Sequence, residues 1–209
     1  MLDLILPLEC GGCGAPSTKW CDACANTLKV HTDEPQLVTP RTDPGVPVFA
    51  LGRYAGPRRR AIVALKEHGR RDLVAPLARA LALGIHHLAT WGILDTPFTI
   101  VPAPTRALAA RRRGGDPVLR IATHATRENF DITVIRALRT RAMVRDSVGL
   151  TIADRERNLA GRIKLTKPVT GDVLVVDDIV TTGATAREAV RTLQEFGVNV
   201  TAVLALAHA

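Results

Sequence analysis

Val173-Leu-Val-Val-Asp-Asp-Ile-Val-Thr-Thr-Gly-Ala-Thr185 is the segment on which the reading of this chain turns. Asp172 to Val176 is an aliphatic, β-branched run, the pattern of a strand buried on both faces of a parallel sheet. Asp177 and Asp178 follow at its carboxyl end, and in an open parallel sheet ligands bind outside that end. Ile179 and Val180 then lead into Thr181, Thr182, Gly183, Ala184 and Thr185, where a helix begins. Small residues let backbone N–H groups approach an anion, hydroxyls add donors, and the helix start adds positive potential. The segment therefore reads as a phosphate cradle. Carboxylate and phosphate repel, so the two acids need another partner. Sugar hydroxyls supply one, and a Mg2+ ion held directly or through water supplies another. A phosphate with a vicinal diol one strand end away describes a ribose 5-phosphate. A merely capped helix needs one capping residue, whereas this loop carries two acids, three threonines and a glycine. It is not a Walker A loop, because GxxxxGK[ST] does not occur.

Outward from this segment, strands and helices alternate. Val46 to Arg53 reads as an edge strand, Phe98 to Pro102 as a short buried strand, and Thr133 to Arg136 as another. Arg58 to His68, Asp72 to His87, Asp116 to Glu128 and Ile152 to Leu159 read as helices. A helix from Ala184 to Phe196, ended by Gly197, leads into a last strand, Val198 to Ala207. Alternation of this kind predicts an α/β domain with a mostly parallel sheet flanked by helices. Residues 31–47, with Pro35, Pro40, Pro44 and Pro47, have the composition of a linker. The expected organisation is a finger over 1–30, a linker over 31–47 and the α/β domain over 48–209.

All four cysteines lie before that linker. Cys10-Gly-Gly-Cys13 and Cys21-Asp-Ala-Cys24 are two Cys-x-x-Cys pairs separated by seven residues. Each pair can place two thiolates on one ion through a tight knuckle, and four thiolates in a tetrahedron suit Zn2+. A redox pair or an iron–sulfur cluster is the alternative. With four protein ligands the ion has no open position, so its role is structural. About 30 residues cannot bury enough surface to fold alone, so the ion would supply the folding energy.

The chain of 209 residues is 46% hydrophobic but only 3% aromatic, so its core is built from Ala, Val, Leu and Ile. A formal net charge of +8 suits phosphate, nucleic acid or anionic lipid and selects none of them. No stretch approaches the roughly 20 apolar residues of a membrane span. Met1 to Leu8 is apolar but short, lacks a basic start and carries Asp3, so it is a poor signal peptide. We read the protein as cytoplasmic, where cysteines hold metals more often than they form disulfides. Single-strand binders interleave basic and aromatic residues. Here Arg58-Arg-Arg60 and Arg70-Arg71 form basic patches without such interleaving.

Over its whole length, Val173 to Thr185 resembles the phosphoribosyl-pyrophosphate signature of type I phosphoribosyltransferases. The double Cys-x-x-Cys, Tyr54-Ala-Gly-Pro-Arg58 with Leu65-Lys66, Val101-Pro-Ala-Pro104 and this signature together resemble the ComF family, a competence-type group. The resemblance covers nearly the whole chain. It implies a type I phosphoribosyltransferase fold behind a zinc finger, and a link to uptake or processing of single-stranded DNA. It implies 5-phosphoribosyl-1-pyrophosphate as ligand, with Mg2+. Asp177 and Asp178 would hold the ribose, Ile179 to Thr185 would surround the 5-phosphate, and Arg106 would contact pyrophosphate. Arg111-Arg-Arg-Gly-Gly115 matches the place of a flexible hood over pyrophosphate, and its charge could equally track a nucleic-acid backbone. Two stretches depart from the family. Arg113-Gly-Gly-Asp-Pro117 lacks the usual aromatic, Asn and Gln, and Ser147 or Val148 stands where a Gln precedes Gly149-Leu150. Both bear on the second substrate. Three functions therefore stand open: a phosphoribosyltransferase, a single-stranded-DNA-binding accessory protein of DNA uptake, and a regulator that binds the ligand without turnover.

Overall fold

The computed structural model describes residues 8–104, 115–140 and 161–209. After a short helix α1 (Asp22–Thr27) come strands β1 (Gln36–Leu37) and β2 (Val48–Ala50), then helix α2 (Gly56–Glu67). A single 3-10 turn (Arg71–Leu73) opens directly into helix α3 (Val74–Thr90), followed by β3 (Phe98–Pro102) and helix α4 (Pro117–Ala125). Strands β4 (Ile132–Val134), β5 (Leu138–Thr140), β6 (Ile163–Leu165) and β7 (Asp172–Val180) follow. Helix α5 (Ala184–Gln194) and strand β8 (Asn199–His208) complete the described elements.

Six strands form one sheet in the order β1-β2-β8-β7-β3-β4. Only the β1–β2 pairing is antiparallel. β5 and β6 form a separate antiparallel ribbon. The expected α/β architecture, a mostly parallel sheet covered by helices, is the one observed. The alternation along β7 explains why its sequence is uniformly apolar. Leu174 and Val176 enter the core beneath α2, α3 and α4, with Leu77, Leu81 and Ile100. Val173 and Val175 enter the opposite core beneath α5, with Val190 and Leu193. All four β7 side chains are fully buried, so neither face tolerates a polar residue.

Three elements differ from the sequence reading. Val46 to Arg53 was expected at the sheet edge, but β2 lies between β1 and β8. The edge is taken by Gln36–Leu37, inside the Pro-rich stretch 31–47. That stretch lies on the domain: the Val38 and Thr42 N–H groups donate to the Val48 and Thr182 carbonyls at 2.8 and 2.7 Å. Prolines limit how much regular ladder a segment can form, but they do not stop it from docking. Thirdly, β7 runs on past Val176 to Val180, paired with β8 through Asp177↔Ala205 and Val180↔His208, so the two acids are strand residues. The helix expected over Ile152 to Leu159 lies outside the described residues.

The stretch Arg71–Thr90 is long and apolar enough to cross a membrane by length and composition. Its Leu73, Leu77, Leu81 and Leu88 are fully buried against the sheet, which is how a core helix acquires that composition.

Candidate functional site

At the carboxyl rim of the sheet, β7 delivers Asp177 and Asp178 and then turns through Thr181, Thr182 and Gly183 into α5. Gly183 has φ +85°, the left-handed region that glycine enters without strain. A Cβ there would stand 2.4 Å from the Thr42 carbonyl oxygen and 2.7 Å from the Pro40 Cβ, so the turn is packed directly against the Pro-rich segment. The start of α5 has no side-chain cap. Its closest hydroxyl contact is long, from the Ala184 N–H to Thr182 Oγ1 at 3.4 Å. A bare helix start facing a loop of hydroxyls presents N–H donors with nothing strong to accept them. Thr181 is exposed; Thr182, Ala184 and Thr185 are half-buried.

The two acids are unequal. Asp177 accepts a hydrogen bond from the Asp178 N–H at 2.8 Å. Desolvation, together with the adjacent Asp178 carboxylate, holds the Asp177 carboxyl well above the usual carboxylate range; the Lys66 charge and the Asp178 N–H only partly oppose this. Asp178 is buried, and its Oδ2 is ion-paired with Lys66 Nζ on α2. Sequence reasoning places Asp177 and Asp178 together and leaves Lys66, on an amphipathic helix, open between a surface role and a ligand role, without pairing it with either acid. The signal lay in the helical phase. Lys66 stands four residues after Ile62 and eight after Arg58, both buried, so all three share the inward stripe.

The same phase takes Arg58 out of the basic patch read from the sequence, while Arg59, Arg60 and Arg71 stay exposed. Arg58 is buried, donates from Nη1 to the Leu206 carbonyl at 3.1 Å, and burial pulls its pKa below the usual arginine value. Arg60 donates to the Gly12 carbonyl, and Arg59 lies over the Tyr54 ring. Arg70 pairs with Asp72 and also donates to the carbonyls of Glu9 and Lys19 at 3.0 and 3.2 Å.

β3 runs beside β7, with Pro102 opposite Val176, so Val101-Pro-Ala-Pro104 ends on the same rim as the acids. Arg106 lies outside the described residues, as do Arg111 to Gly114 and Ser147 to Leu150. Within the stretch that departs from the family, Asp116 caps α4, accepting from the N–H groups of Val118 and Leu119, with Pro117 opening the helix.

The cysteines converge as expected. The four Sγ atoms lie within 4.8 Å of one another, and Cys21 Sγ is 3.6 Å from both Cys10 and Cys13. A tetrahedron with metal–sulfur bonds of about 2.3 Å has edges of about 3.8 Å, so one metal ion such as zinc fits the cluster. The N–H groups of Gly12 and Cys21 point at Cys10 Sγ from 3.5 and 3.4 Å, the support a bound thiolate requires. Burial opposes ionisation of Cys10, but the N–H groups of Cys21, Cys13 and Gly12 win and lower its pKa to about 6. In the metal-free cluster, burial and then the other three sulfurs push Cys24 up.

These features define an α/β domain with a mostly parallel sheet, an acid pair at a strand end and a four-thiol cluster near its amino terminus. No family model matches the chain. It is similar to "DNA utilization protein YhgH" of Escherichia coli, 29% identical over 90% of this chain and 78% of the relative. It is also similar to "Competence protein F" of Haemophilus influenzae, 26% identical over 96% of this chain and 84% of the relative. The competence-type resemblance drawn from the cysteine pairs and the acid segment is borne out by these relatives. Among solved structures it is similar to Leishmania donovani UMP synthase, at TM-score 0.41 and 16% identity, covering 89% of this chain and 32% of that one. A hypoxanthine phosphoribosyltransferase from Staphylococcus aureus gives TM-score 0.37 and 14% identity, covering 65% and 62%.

Proposed function

We propose that the rim between Asp177 and Thr185 binds 5-phosphoribosyl-1-pyrophosphate, or a ribose phosphate like it, with Mg2+. The observation that carries this is the uncapped start of α5, reached through the Thr181-Thr182-Gly183 turn from a strand whose last four residues include both carboxylates. The N–H groups of the α5 start and the hydroxyls of Thr181, Thr182 and Thr185 receive the 5-phosphate. Asp177 accepts from the ribose hydroxyls, and Asp178, fixed by Lys66, sets the charge beside it. Arg106, on the segment after Val101-Pro-Ala-Pro104, meets the pyrophosphate. Mg2+ supplies charge neutralisation at the pyrophosphate. In a transfer reaction the C1–pyrophosphate bond breaks, an acceptor takes the ribosyl carbon, and the chain's contribution is positioning and charge stabilisation. The acceptor is left open by the altered stretch around Arg113-Gly-Gly-Asp-Pro117, and the cellular setting we assign is cytoplasmic. Calorimetry with phosphoribosyl pyrophosphate and Mg2+ tests the reading. Binding is expected in the wild type and its loss in the Asp177→Ala, Asp178→Ala double variant; binding that survives the double variant ends the proposal.

The names of the relatives favour a second reading, an accessory protein of DNA uptake or processing that holds single-stranded DNA through the knuckle and the basic surface. Affinity for single-stranded DNA that falls steeply with salt, and disappears when residues 1–30 are removed, is the expected outcome under that reading. Affinity untouched by that removal speaks against a role for the knuckle.

A further inference from the structure

We propose that the cysteine knuckle is a brace for the rim: through Arg60 it sets the position of α2, and α2 holds Lys66 on Asp178, so that Arg60 and Lys66 are positioning residues for the ligand site. The inference rests on the ligand reading above and adds to it a physical connection between the two ends of the chain.

The connection is continuous. Arg60 leaves α2 to donate to the carbonyl of Gly12, which lies between the first two cysteines. Arg70, just past the end of α2, reaches the same region and donates to the carbonyls of Glu9 and Lys19, which flank the first cysteine and precede the third. Lys66 lies between these two arginines, about 9 Å along the helix axis from Arg60. The knuckle thus holds α2 on either side of the lysine, with hydrogen bonds to backbone carbonyls whose positions the four clustered sulfurs set. On the opposite side of the helix, Lys66 is ion-paired with the buried Asp178.

A buried carboxylate next to a second one, beside a phosphate cradle, repels the ligand unless a cation compensates it. The Lys66 ammonium is that cation among the described residues. If α2 shifts or frays, Asp178 loses its partner, the acid pair carries more uncompensated charge, and the cradle binds phosphate less well. The zinc-type cluster then matters to ligand affinity without touching the ligand. The coupling is reciprocal, so ligand at the rim also tightens the knuckle.

The test uses the full zinc-loaded chain. Arg60→Met leaves every cysteine in place, so metal analysis should still give one bound ion. Affinity for phosphoribosyl pyrophosphate with Mg2+ should fall about tenfold, within the usual range of such couplings, and Arg60→Lys should recover part of it. Lys66→Met should weaken binding at least as much. The deciding comparison is the double variant. If Arg60 acts through Lys66, adding Arg60→Met to Lys66→Met changes affinity little further. Fully additive losses, or an Arg60→Met protein that binds as the wild type does, overturn the brace. Failure of the wild type to bind the ligand at all ends the ligand reading. In that case hydrogen exchange decides the brace alone: faster exchange of α2 and of the Asp178 amide in zinc-loaded Arg60→Met supports it, and unchanged exchange sinks it.

Discussion

Between Leu8 and Leu28 only Cys10, Gly12, Cys24 and Leu28 are buried, while between Val173 and Val180 every residue is buried except Asp177 and Ile179, which are half-buried. The knuckle has few apolar side chains to hold it. Its order comes from four converging sulfurs, the N–H groups aimed at Cys10, and the arginines of α2 and the turn after it. The rim has no such staple. Its acids are held because the strand that carries them lies inside the sheet, paired with β8 along its whole length and with β3 from Val173 to Val176. One region is ordered by a handful of strong, removable contacts, the other by many weak ones that no single change abolishes.

The largest expected effect separates the two regions outright. Cys21→Ser, or stripping metal from the wild type with a chelator, removes the sulfur that stands 3.6 Å from both Cys10 and Cys13, or the ion it would hold. Apparent binding energy on the order of 10 kcal/mol goes with the ion. Amide exchange over residues 8–28 should then become fast, and through the brace that of α2 and the Asp178 amide should rise, while β3, β8 and the Val173–Val176 part of β7 keep their protection. Protection lost across the whole sheet would break the comparison, because the knuckle would then be part of the same cooperative unit as the core.

A matched pair of glycines sharpens the contrast at smaller scale. Gly14 in the knuckle and Gly183 at the rim have nearly the same backbone, φ +82° and +85°, so alanine is strained at both by about 1–2 kcal/mol. Around Gly14 a Cβ meets nothing within 4 Å, whereas at Gly183 it drives into the Thr42 carbonyl and Pro40. Gly183→Ala should therefore cost clearly more than Gly14→Ala in denaturant unfolding, by about 2 kcal/mol or more, typical of a backbone forced to move in a packed site. Equal costs would mean that the segment around Pro40 yields easily, and that the packing at the rim is looser than its burial suggests.

The parts of this contrast that can be read in the sequence are those where one residue type has one use. Two Cys-x-x-Cys pairs so close together have little to do except share an ion, and they converge as read. A β-branched run ending in two acids and a small-residue turn places β7, the turn and α5 within a few residues, although it ends the strand at Val176, four residues short. An Asp pair looks like a loop, and only the partner strand β8 shows that the ladder continues through it. What escapes are residues with two equally ordinary uses. Arg58 reads as a solvated helix charge and Lys66 stays open between two roles until the sheet beneath α2 shows that they lie on its buried stripe. Gln36–Leu37 escapes because a two-residue strand has no period to detect, and the surrounding prolines describe how a segment bends rather than what it touches.

The smallest predicted effect concerns the rim alone and has a sign that depends on pH. Burial and Asp178 hold the Asp177 carboxyl above the usual range, so the folded chain keeps a proton there that the unfolded chain has released. The stability this gives is complete below the ordinary carboxylate value of about 3.9 and is lost as pH rises through the raised one. Above that window the ionised Asp177 weakens the fold. Asp177→Asn removes the charge and nearly keeps the shape, so its melting temperature should match the wild type near pH 3.5 and exceed it increasingly toward pH 8. The gain should stay within about 3 °C, the shift that 1 kcal/mol produces in a chain of this size. The same variant should lose affinity for phosphoribosyl pyrophosphate, because an amide cannot replace a carboxylate as acceptor for two hydroxyls beside a cation. Stability that rises while binding falls would identify Asp177 as a group kept for its ligand at a cost to the fold. An asparagine variant less stable than the wild type at pH 8 would instead make Asp177 a structural acid like Asp116, and would remove the asymmetry between the two members of the pair.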